Sequence, residues 1–227
     1  MAKMKIQISK DDFEQSILAA TSSHSEVFES VEPHFKESYQ RLCQQILGEV
    51  GEAALETSDD LRETVIKAVC LDAFLGVVRH LDLVLTPTGF GVVANNEVTP
   101  ASSSRAEALI EQCRRALIVA QDTVMSHLTV VSGWGSTLQA QQGIQTVVWS
   151  MEGYCYLTRQ TSMTSKDWMS KLAAMQEADA TLRKLVSDEQ MDDIMCLVRG
   201  VREGNEFEGC VRLMLSRSLI MLVNDML

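Results

Sequence analysis

The chain has 227 residues, 46% hydrophobic and 22% charged, which supplies a substantial core and argues against disorder of the whole chain. Its formal net charge of −11 is the wrong sign for a protein that grips nucleic acid through backbone phosphates. An acidic surface favours solubility and repels DNA, which does not exclude a protein that surrounds DNA without holding it.

Residues 1–8 form a short arm in which Ile6 and Ile8 alternate with polar neighbours. The N-terminus lacks the apolar run of a secretory leader, and the longest apolar stretches, 66–78 and 211–223, are too short to span a bilayer. The expectation is a cytoplasmic product. Ser9 followed by Lys10, Asp11 and Asp12 predicts an N-cap and a helix to about residue 20. After a Thr/Ser-rich break at 21–25, a helix is predicted over about 26–47, with Val31, Phe35, Tyr39, Leu42 and Ile46 on one stripe. Ser58 caps the next helix, apolar nearly all round from Ile66 to Val78 and so suited to the middle of a bundle.

Residues 83–104 are the clearest non-helical segment, with Pro87, Pro100, Gly89 and Gly91 between β-branched runs. They predict a β-hairpin near 83–98, with turns at Thr86-Pro87 and Asn95-Asn96. One of Ser102, Ser103 and Ser104 then caps a helix to about 130. Residues 137–161 suit helix by the spacing of Ile144, Val147, Val148 and Met151 and strand by composition, with helix favoured. Three helices follow, over about 165–186, 187–199 and 205–224. The fold class is therefore all-α, a helical bundle with a β-hairpin insertion near 83–98. The expected organisation is one domain over 1–227: N-terminal helices 9–80, hairpin 83–98, long helix 103–130 and C-terminal helices 165–227.

The last helices resemble the first ones at a nearly constant offset. Phe35, Tyr39, Leu42 and Ile46 align with Met175, Asp179, Leu182 and Val186, and the run 61–74 aligns with 207–220. An internal duplication would pack the two apolar helices against each other. It would also set Asp72 and Arg217, each a charge in an apolar helix, almost opposite one another. Either both face water or they form an ion pair between the halves.

No catalytic, cofactor or metal constellation is evident. The six cysteines include no CxxC pair, and the four histidines include no i, i+4 pair or HExxH. His80 and Asp82 form the nearest His–carboxylate pair, better explained by a helix end than by catalysis. Gly89-Phe90-Gly91 lacks the lysine and following helix of a phosphate loop, so turn geometry explains it. Trp149, Tyr154, Tyr156 and Trp168 suit packing better than base stacking in so acidic a chain.

Residues 81–114, LDLVLTPTGFGVVANNEVTPASSSRAEALIEQCR, resemble the signature of an uncharacterised family encoded in Bacteroidetes genomes, often within prophages. The resemblance implies a non-enzymatic phage structural protein, such as a head–tail connector or neck adaptor, that is virion-associated where the phage is functional. Its partners would be copies of itself in a ring, portal proteins or tail proteins, with no tight nucleic-acid binding and no membrane. Thr86, Gly89, Phe90, Gly91, Asn95 and Asn96 would form the partner-binding tip, with Phe90 either an exposed anchor or buried against its own helices. The alternative is a small-ligand-binding or regulatory helical protein with the hairpin as a lid.

Overall fold

The computed structural model describes residues 4–17, 25–80, 83–86, 89–92 and 103–226. Serine and threonine caps set many of the helix starts. Ser9 and Asp12 form a reciprocal capping box at α1 (Lys10–Ser16). A continuous helical path then runs through α2 (Ser25–Val31), a 3-10 turn at Glu32–His34 where Pro33 interrupts the α ladder, and α3 (Phe35–Leu42). It passes through a π turn at Cys43–Leu47 into α4 (Gly48–Ala54). Gly48 has φ +60, which a side chain would strain, and Trp134 donates its indole N–H to the Ile46 carbonyl at 2.9 Å. The sequence placed the end of this helix at about residue 47; the chain instead turns at Gly48 and remains helical to Ala54.

Ser58 caps α5 (Asp59–Val77) by accepting from the Leu61 N–H. Leu61, Val65, Ala68, Val69, Cys70, Leu71, Ala73 and Phe74 are all buried, which explains its continuous apolar sequence. It packs chiefly on α6 (Ser103–Leu128), and also on α3 and α1. Phe13 meets Phe28, Phe35 and Phe74 with ring centroids 5.8–6.3 Å apart, tying α1 and α2 onto this pair.

The C-terminal half holds α7 (Leu138–Gly143), α8 (Met151–Thr158), α9 (Ser165–Val186), α10 (Asp188–Val198) and α11 (Glu206–Met226). Thr137, Ser150, Thr164 and Ser187 cap the first four. Residues 144–150 are not helical: Ile144, Val147 and Val148 are buried as an extended connection, and Arg199 donates to the Ile144 carbonyl at 2.9 Å. The helix favoured over 137–161 is thus two short helices separated by a β-branched linker. Buried apolar residues from Ile6 to Val223 form one connected cluster.

The fold is all-α, which corrects two expectations. A β-hairpin insertion of the expected extent, 83–98, is not found among the described residues. Among the described residues, extended pairing is limited to β1 (Leu83–Thr86) and β2 (Gly89–Val92), four residues each, with Leu83 opposite Val92 and Thr86 opposite Gly89. This pair joins no other strand among the described residues. The turn expected at Asn95-Asn96 lies outside the described residues. The expected mutual packing of the two apolar helices is also absent, because α5 packs on α6 while α11 packs on α9.

Candidate protein interaction surface

The predicted ion pair does not form. The Arg41 guanidinium donates to the Asp72 carboxylate through Nε at 3.2 Å and Nη2 at 2.7 Å, so Asp72 is satisfied across α3 and α5. Arg217 lies on α11 beside Cys155, Tyr156 and Met221. It has no carboxylate partner among the described residues, because the internal match aligned two helices that do not pack together. Thr86, Gly89, Phe90 and Gly91 lie on the short strand pair, where Phe90 is opposite Leu85 and Gly91 opposite Val84. Asn95 and Asn96 are outside the described residues.

The aromatic group divides. Tyr154 and Trp168 are buried edge to face with centroids 6.0 Å apart, whereas Tyr156 is 84% exposed. The Tyr154 hydroxyl finds no hydrogen-bond partner among the described residues. All six cysteines are free thiols; burial pushes Cys43 up to about 11 and Cys70 up to about 12, so both remain protonated. Among the described residues no group of three or more His, Cys, Asp or Glu side chains is placed to hold a metal ion.

What sequence reasoning missed is the outer face of α11. Phe207, Met214 and Met221 recur every seven residues and are 76%, 68% and 68% exposed, with Leu213 and Cys210 beside them. Each turn pair of the helix therefore presents an apolar side chain to solvent while Leu215, Leu219 and Val223 face the core. Covering Phe207, Met214 and Met221 would stabilise a complex by about 1.5–3 kcal/mol per side chain before the costs of association. Among the described residues, no large apolar side chain on α1 to α6 is strongly exposed.

Between α8 and α11 lie two joined concavities of about 820 and about 280 Å³, sharing Tyr156 and Leu157. Arg159, Arg212 and Arg217 line them. None forms an ion pair among the described residues, and Arg115 acts electrostatically on the neighbouring Cys155 thiol. Burial holds the Arg212 guanidinium below the ordinary arginine range. Arg183 is paired with Asp179 and Asp192 and Arg202 with Asp193 and Glu208, whereas Arg105, Arg114, Arg115 and Arg199, like the groove arginines, have no carboxylate partner among the described residues. Residues 1–100 carry 16 acidic and 8 basic side chains, a balance of −8, whereas 101–227 carry 15 and 12, a balance of −3. The groove is thus a cationic, apolar patch on an acidic protein.

A separate cavity of about 340 Å³ lies under Trp149 and Trp168, with Gln45, Gln121, Gln142 and Asp122 on its wall. Asp122 accepts from the Met151 N–H at 2.8 Å, and burial, against that hydrogen bond, raises its pKa to about 7.

No helix among the described residues is long and apolar enough to cross a membrane. No curated protein and no solved structure matches the chain. Residues 32–138, a little under half of the chain and including the segment 81–114, match the model of a family described as a family of unknown function, DUF6712, to which this chain is similar.

Proposed function

We propose that this chain is a non-enzymatic structural protein of a phage or prophage, a head–tail connector or neck adaptor that works through protein–protein contacts. The observation that carries the reading is the uncovered apolar stripe of Phe207, Met214 and Met221 on α11. A stripe of that size on an otherwise well-packed bundle marks an interaction site. The match to a family of unknown function fits the resemblance of residues 81–114 to a prophage-encoded family. The net charge of −11 would let DNA pass an assembled ring without adhering. Partners on this reading are further copies of the chain, a portal or a tail protein, in the host cytoplasm and then in the particle. The DNA flanking the gene tests it: portal, capsid and tail reading frames are expected, and metabolic neighbours would overturn it.

A second reading, a small-ligand-binding protein, is favoured by the cavity where Asp122 meets three glutamines and two tryptophans. It requires that a small organic cation raise the unfolding temperature of the wild type and leave Asp122→Asn unaffected.

A further inference from the structure

The groove between α8 and α11 combines exposed apolar side chains with three arginines that lack counter-charges among the described residues. From Gly209 to Met221 its α11 wall covers thirteen residues, so with twelve rises of about 1.5 Å it is about 18 Å long, or about three helical turns. Tyr156, Leu157, Leu213 and Met221 supply apolar walls, and Arg159, Arg212 and Arg217 lie along the same trough. A partner helix presents side chains on one face at i, i+3, i+4 and i+7, a spacing that fits such a trough.

We infer that this groove docks an acidic amphipathic helix of a partner protein, whose apolar stripe covers Leu213 and Met221 and whose carboxylates pair with Arg159, Arg212 and Arg217. This names the partner chemistry of the protein-contact function proposed above and rests on it.

Charge decides the occupant. Half-burying Arg212 without a counter-ion is unfavourable, and an incoming carboxylate would relieve it. A basic or neutral helix would cover the apolar walls and leave the arginines desolvated and unpaired. A second copy of α11 fits less well: between Gly209 and Met221 its only charged residues are Arg212 and Arg217, so it brings like charge to the trough. No exposed large apolar residue occurs in the described part of the acidic N-terminal half, residues 4–80, to fill the trough in a head-to-tail contact.

The test uses the full chain and two fluorescein-labelled model helices of about twelve residues, the length the groove accommodates. Both carry leucine at i, i+4 and i+7, one with glutamate and one with lysine at the remaining positions. Anisotropy titrations should show saturable binding of the glutamate helix, weakened at least tenfold between about 0.05 M and about 0.3 M salt, and none of the lysine helix. Arg217→Glu should weaken binding at least tenfold, Arg217→Lys should largely retain it, and Met221→Asp should abolish it. Both positions are exposed, so circular dichroism should be unchanged. Equal binding of the two helices, or a wild-type affinity for Arg217→Glu, would overturn the inference. So would a dimer of the chain that Met221→Asp dissociates while the glutamate helix does not bind. Failure here with phage structural genes flanking the gene would remove the groove alone; metabolic neighbours would remove the structural-protein reading itself.

Discussion

Replacing Asp122 by asparagine should stabilise the protein, and more so at alkaline pH. The side chain is 8% exposed, and burial outweighs the Met151 N–H bond to place its pKa at about 7 against an ordinary 3.8. Its folded-state pKa is raised, so between those values the native state holds a proton that the unfolded chain has released. Stability therefore falls as pH rises from about 4 to about 7 and levels off above. At about 1.4 kcal/mol per pKa unit, the difference between 3.8 and about 7 sets the penalty at about 1.5 kcal/mol at pH 5 and about 4 kcal/mol at pH 8. The asparagine amide would keep an oxygen for the Met151 N–H but lose the charge-assisted part of that bond, roughly 1 kcal/mol. Urea unfolding should then show Asp122→Asn about 2–3 kcal/mol more stable than wild type at pH 8, and within about 1 kcal/mol of it at pH 5. Parallel stability–pH profiles for the two proteins would refute the reasoning.

Asp72→Ala should cost about 1 kcal/mol and Asp59→Ala less, since Asp72 is 30% exposed and Asp59 92%. A double-mutant cycle should couple Asp72 to Arg41 and not to Arg217. Gly200→Ala should destabilise by more than about 2 kcal/mol, because Gly200 has φ +73 and an added Cβ would collide with the Thr129 carbonyl oxygen; chemical denaturation measures it. Under native conditions a thiol reagent should label the exposed Cys210 first, while Cys70 and Cys113 should react only after unfolding, as mass spectrometry of digests would show.

The helices were legible in the sequence where a cap meets a periodic run: Ser9 with Asp12, Ser58 before Leu61, and Ser187. The burial of α5 on nearly all sides followed from its composition. The linker at 144–150 was harder, because buried valines satisfy a helical stripe and an extended connection equally well. The true partner of Asp72 was hidden, since Arg41 stands 31 residues away on another helix and no local spacing points to it. Aligning two apolar helices suggested Arg217 instead, but likeness of pattern does not imply contact. The same limit concealed the interaction surface. Phe207, Met214 and Met221 look like core residues in a list, and only the packing of α11 on α9 shows which of its apolar faces is left uncovered. The short strand pair shows the reverse error, in which β-branched residues and glycines suggested a larger element than four-residue strands can make.

The most direct measurement is mass spectrometry of phage particles purified after induction of the host, with the gene encoding either wild type or Met221→Asp. The wild-type chain should be present in the particles at a fixed stoichiometry, and Met221→Asp, folded and expressed equally, should be missing from them. Particles that form and mature without the wild-type chain would contradict the structural-protein reading.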